Sequence, residues 1–161
     1  MTRDEAQNAW EKIVDTGFTG YEKLTREQRV WFNIEPLTTE GLWDHYMNHG
    51  ADKNADTIAD LEYLNFNSVA NQLREFNKTY FPNGVPEGPD ARQDELDKFD
   101  EDQLEGDIEK MDDKFWEISD ELEKTLLEHI ITLELENKNA LQQCITAITA
   151  DSTTSESTRN C

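Results

Sequence analysis

Basic residues are scarce in this chain. Lys and Arg number 15 against 36 Asp and Glu, a formal net charge of −21 on 161 residues. Arg3, Arg26, Arg29, Arg74 and Arg92 stand isolated, so no basic patch exists to displace counterions from a phosphate backbone, and direct nucleic-acid binding is disfavoured. Cysteine is as sparse: Cys144 and Cys161 lie late and far apart, which is not a disulfide framework. No stretch approaches the ~18–20 apolar residues of a membrane span. Thr2 to Gln7 are polar, so no apolar signal region follows Met1 and the expected location is cytoplasmic. Glycine forms no phosphate-cradling loop, no nucleophile elbow is present, and no Cys/His pairing suggests a nucleophile. The expectation is a protein that is not an enzyme and carries no cofactor.

What is present is acid, and it is concentrated. Glu87 to Glu128 holds eighteen carboxylates against five bases, a net of −13. Self-repulsion on that scale opposes compaction. Blocks of like charge usually read as disordered tails, but this run also contains Leu96, Phe99, Leu104, Ile108, Met111, Phe115, Trp116, Ile118 and Leu122. Fifteen aromatic residues, four of them Trp, supply core volume along the chain. The segment is therefore expected to fold into a surface built to meet something positive.

Apolar spacing is helical throughout. Thr2-Arg3-Asp4-Glu5 and Thr25-Arg26-Glu27-Gln28 are capping-box patterns. The first opens a helix ended by Gly17 and Gly20; the second leads through Val30, Trp31 and Ile34 until Pro36 stops it. Thr38 or Thr39 then caps a short helix with Gly50 beyond its end. A fourth helix runs from about Asp52 to Leu64, and Asn67 or Ser68 caps a fifth bearing Val69, Leu73, Phe76 and Tyr80. Phe81 to Asp90 holds three of the four prolines and reads as a loop. Asp90 caps a helix to about Leu104, and Gly106 separates it from the longest signal, where Ile108, Met111, Phe115, Ile118 and Leu122 form one stripe. Asn137 to Thr149 could form a last helix. The fold class is all-α: a single compact multi-helix domain over 1–150 with a long acidic C-terminal helix, and a disordered polar tail at 151–161.

Several constellations fail on spacing. His45-x-x-x-His49 could chelate Zn²⁺, but no third ligand stands at motif spacing. Asp97 to Asp107 presents ligand candidates in the wrong order for a calcium loop and lacks the twelfth-position Glu. With so many carboxylates, proximity of two says nothing about acid–base catalysis. Arg92 is expected to be a structural partner to nearby carboxylates. On the long helix, Asp113, Glu117, Asp120, Glu121 and Glu128 form a band opposite the apolar stripe, with Lys114 and Lys124 as minor interruptions.

Residue order adds a resemblance. Glu35, then Gly41 to Gly50 (GLWDHYMNHG), Ala59 to Leu64 (ADLEYL), Asp90 to Leu96 (DARQDEL) and Met111 to Trp116 (MDDKFW) resemble the bacterial DNA-mimic proteins typified by the small acidic one of Neisseria, specifically its C-terminal-domain family. The resemblance spans about residues 25 to 131. It implies an all-α protein, often dimeric, that occupies the DNA-binding face of a helix-turn-helix transcription factor and so alters gene regulation. Tyr46, Asn48, Phe115 and Trp116 match its signature at positions that look like core or caps. The phosphate-like carboxylates would come from the acidic segment: Asp94, Asp97, Asp100, Asp102, Glu105, Asp107, Asp112, Asp113, Glu117, Asp120, Glu121 and Glu128. The competing expectation is an immunity or antitoxin-like protein whose acidic face plugs a basic nuclease toxin.

Overall fold

The computed structural model describes residues 3–132, and among them only helices, turns and loops occur. The order is α1 (Arg3–Gly20), a 3-10 turn (Tyr21–Lys23), α2 (Arg26–Met47), a second 3-10 turn (His49–Lys53), α3 (Asn54–Tyr63), α4 (Asn67–Tyr80), α5 (Pro89–Leu96) and α6 (Glu101–Trp116). A further helical stretch covers 119–132. The chain divides into two compact units, Met1–Leu127 and Glu128–Cys161. Of the second, 128–132 are described and are helical. Thr2, the expected last helix at 137–149 and the polar tail at 151–161 lie outside the described residues.

The centre of the first unit is α2. Val30, Ile34, Leu37, Leu42 and Tyr46 are completely buried along it, as are Leu61 of α3, Val69 and Leu73 of α4, Leu96 of α5 and Phe115 of α6. Its N-terminus carries the capping box read from the sequence: Thr25 Oγ1 accepts from the Gln28 N–H at 3.3 Å, and the Gln28 side chain accepts from the Thr25 N–H at 3.0 Å. α1 crosses α2 where Gly17 faces Phe32; a Cβ there would fall 2.3 Å from the Phe32 ring.

The helix boundaries differ from expectation in five places. Pro36 lies inside α2, and the break falls at Gly41, with φ 91° and ψ 179°. Proline costs a helix interior ~3 kcal/mol through one lost hydrogen bond and ring crowding. Burial of Ile34 and Leu37 on either side offsets that, whereas at Gly41 the left-handed φ redirects the chain. Asn67 and Ser68 begin α4 without capping it; Phe66 holds the cap position. Gly88, not Asp90, precedes α5, and α5 ends at Leu96. Asp100, whose side chain accepts from the Gln103 N–H, then caps α6, leaving Gly106 within that helix, where an added Cβ would meet nothing. The expected long C-terminal helix is two pieces, because a turn at 117–118 ends α6 at Trp116 before helix resumes at 119. The apolar stripe survives the turn: Met111 and Phe115 are buried on one side of it, Leu122 and Leu126 on the other.

Candidate functional site

α6 displays three distinct faces. At ~100° per residue, Leu104, Ile108, Met111 and Phe115 make the core-facing side. Lys110 and Lys114 share one flank with Gln103 and Asp107. The other flank, a sector of about 120°, holds Glu101, Asp102, Glu105, Glu109, Asp112, Asp113 and Trp116, without a base. Glu101, Glu105, Glu109, Asp113 and Glu117 follow one another at steps of four and are all exposed, a row about 24 Å long at ~1.5 Å rise per residue. With Asp102 this makes six exposed carboxylates, one per roughly 5 Å of axis, against one phosphate per ~3.4 Å on a DNA strand. None of the six has an ion pair among the described residues. Bases among the described residues pair elsewhere: Arg26 with Asp60, Arg74 with Glu62, Arg92 with Asp52, Lys98 with Glu95 and Lys110 with Asp107. No base among the described residues therefore offsets the row.

The twelve carboxylates expected at the interface separate by role. Asp94, Asp102, Glu105, Asp113, Glu117, Asp120 and Glu121 are exposed, as is Glu128, which belongs to the second unit. Asp97 accepts from the Gln93 side chain at 2.6 Å, and Asp100 serves as the α6 cap. Asp107 accepts from the Tyr80 hydroxyl at 2.9 Å and pairs with Lys110; these two bonds hold its carboxyl below the usual range. Burial, the hydrogen bond to Asp107 and the Asp107 charge push the Tyr80 phenol up to about 12. Asp112 has an architectural role: its Oδ1 accepts from both the Leu42 and Trp43 N–H groups at 3.2 Å, capping the restart of α2 beyond Gly41. Burial raises its pKa, the two backbone bonds oppose that, and Asp44 and Asp113 raise it further. The sequence reading omitted Glu101 and Glu109. Their signal was present in the four-residue spacing, but a helix expected to break at Gly106 put Glu101 and Glu105 on a different element from Glu109.

Beneath the surface, Arg92 is completely buried. Its guanidinium donates to the Tyr46, Asn48 and Pro86 carbonyls and to Asp52 Oδ1, the last at 2.7 Å. It thereby joins the end of α2, the second 3-10 turn, the proline-rich loop and α5. Burial alone would raise the Asp52 pKa, but Arg92, the Gly88 N–H and His49 together hold it down to about 2. The two histidines weighed as a metal pair do different things. His45 is buried and bonded to Asn54 Oδ1, and burial lowers its pKa to about 4. His49 is exposed and pairs with Asp52. No group of three potential metal ligands occurs among the described residues.

Of the four signature positions, Tyr46 and Phe115 are core and Asn48 is the C-cap of α2. Trp116, expected in the core, is 45% exposed. No described helix is long and apolar enough to cross a membrane. The model of the DMP19-like protein family matches residues 22–133, from the turn before α2 to the end of the described helical stretch. No curated protein and no solved structure matches the chain.

Proposed function

The chain belongs to the DMP19-like protein family, and from that premise we propose that it works as a DNA mimic. It would occupy the DNA-binding site of a basic protein, a helix-turn-helix transcription factor, and exclude duplex DNA. The observation that carries this reading is the base-free row from Glu101 to Glu117. Lys and Arg side chains that contact phosphate would meet carboxylates held at regular spacing on a helix anchored by Met111 and Phe115. The action is competitive binding without catalysis, in the cytoplasm. One row of about 24 Å is shorter than the ~34–36 Å between half-sites of a dimeric helix-turn-helix protein. A two-fold homodimer would present two rows and match the partner's symmetry, with its negative faces outward and its contact apolar.

Capture from a host lysate on immobilised protein tests this. A DNA-binding protein should be retained at about 50 mM salt, where charge pairing is strong, and released by duplex DNA. Reversing Glu105, Glu109 and Asp113 to Lys should abolish retention while helicity persists. Retention of a basic nuclease through the same row would favour the immunity reading. Failure to retain any basic protein would end both.

A further inference from the structure

The acidic flank of α6 contains one side chain that repulsion does not explain. Trp116 falls near the middle of the sector that holds Glu105, Glu109 and Asp113, and nearly half of it is exposed. Its position is defined from beneath: the Phe115 ring meets it edge-on at 5.2 Å, and Gly41 lies so close that a Cβ would be 2.9 Å from Trp116 Cζ2. Asp112 fixes the same junction through its two bonds to the α2 backbone. The indole is thus held on the surface by a glycine kink and a cap. Asp113 precedes it by one helical turn and Glu117 follows it at the C-cap of α6, both exposed.

Two aromatics elsewhere among the described residues lie under cations, whereas the exposed Phe18 and Phe99 do not. Arg26 lies 5.0 Å over the Tyr63 ring, and Lys53 lies 5.0 Å over Tyr21. Among the described residues no cation sits over Trp116, although it is the best of these rings for the purpose. Carboxylates alone attract Lys and Arg similarly. A planar guanidinium can stack on an indole while its N–H groups reach carboxylates at the rim, which a compact ammonium does less well.

We propose that Trp116 is the anchor of an arginine-recognition site on the acidic row, its ring taking a guanidinium of the basic partner while Asp113 and Glu117 pair with the N–H groups. The site makes the surface select proteins that present arginine over equally charged proteins that present lysine. This rests on the DNA-mimic reading and supplies the selectivity that charge alone lacks.

The test uses the full chain with capped heptapeptides of arginine and of lysine, titrated at physiological salt. Wild-type protein should bind the arginine peptide more tightly. Trp116→Leu should weaken arginine-peptide binding roughly two- to fivefold, the span of an exposed cation–π contact. Lysine-peptide binding should weaken less than arginine-peptide binding, since an ammonium can also meet the ring. Trp116→Phe should retain part of the preference. Equal weakening for both peptides, or none for either, would overturn the arginine site and leave the acidic-surface reading standing. No binding of either peptide at low salt would overturn both. Should the Leu variant unfold, the indole N–H resonance of Trp116 in wild-type protein decides. A larger shift with arginine than with lysine peptide supports the site, and equal shifts refute it.

Discussion

Replacing Arg92 by Met should be among the most damaging single changes in the first unit. The guanidinium is completely buried and satisfies four acceptors on three other segments: Tyr46 and Asn48 at the end of α2, Asp52 in the 3-10 turn, and Pro86 in the loop. The α2 carbonyls are among those a helix end leaves without partners. A Met fills similar volume but donates nothing, so these acceptors and the Asp52 charge lose their partner together. Breaking one member of a buried ion pair costs about 3–5 kcal/mol, a large share of the ~5–15 kcal/mol that holds a domain folded. Arg74→Met is the control. Its pair with Glu62 is 43% exposed on each side, and exposed pairs are worth ~1 kcal/mol or less. Urea unfolding followed by helical circular dichroism, in salt sufficient to screen the net charge, gives both values. The pH dependence adds a second reading. Asp52 has its pKa lowered from 3.8 to about 2 in the folded protein, so its contribution is fully present above the unfolded value and is lost as pH falls through the folded one. Allowing for solvent screening of a partly exposed carboxylate, that contribution is roughly 1–2 kcal/mol. The gap between wild type and Arg92→Met should therefore narrow between about pH 4 and pH 2. An Arg92→Met cost no larger than the Arg74→Met cost would refute the reasoning.

Gly41→Ala combines a left-handed φ of 91° with a Cβ 2.9 Å from the Trp116 ring, and should cost about 1–3 kcal/mol in the same unfolding assay. Asp112→Asn keeps an oxygen for the Leu42 and Trp43 N–H groups and should change stability by less than about 1 kcal/mol, whereas Asp112→Leu strands both donors and should cost roughly 2–4 kcal/mol. The comparison of the two variants by chemical denaturation isolates the cap from the charge. Thr25→Ala removes one half of the capping box at the start of α2 and should lower stability by about 1 kcal/mol, read as a shift in the urea midpoint at unchanged slope.

Features that depend on neighbours in sequence were legible in it. The Thr25–Gln28 capping box needs only a hydroxyl and an amide three residues apart. The loop before α5 follows from Pro82, Gly84 and Pro86, with Pro89 at the start of α5, where its missing N–H costs nothing. The α4 stripe of Val69, Leu73, Phe76 and Tyr80 needs only the 3.6-residue period. Arg92 was readable as a structural cation because it is isolated among acids, though not that it would cap the end of α2. The misreadings came where distant contacts compete with local preference. Pro36 is a helix breaker in isolation and is overruled by the burial of Ile34 and Leu37. Asp100-Glu101-Asp102-Gln103 carried the start of α6 in plain view, but the alternative break at Gly106 obscured it.

By itself the sequence determined the helical class and the excess of acid over base from Glu87 to Glu128, since periodicity and net charge are sums over residues that need no partner. Which carboxylates face outward together was decided only by the tertiary structure. Asp107 and Asp112 are as acidic in sequence as Glu105 and Glu109. One is tied to Tyr80 and Lys110, and the other caps a helix seventy residues earlier in the chain. Their neighbours Glu105 and Glu109 on the open flank of α6 have no such partner among the described residues and face solvent. The kink at Gly41 likewise sets Trp116 on the surface, because a backbone that turns with positive φ opens the place where the indole rests. Packing brings residues far apart in the chain into contact, and that contact separates an architectural carboxylate from an interfacial one.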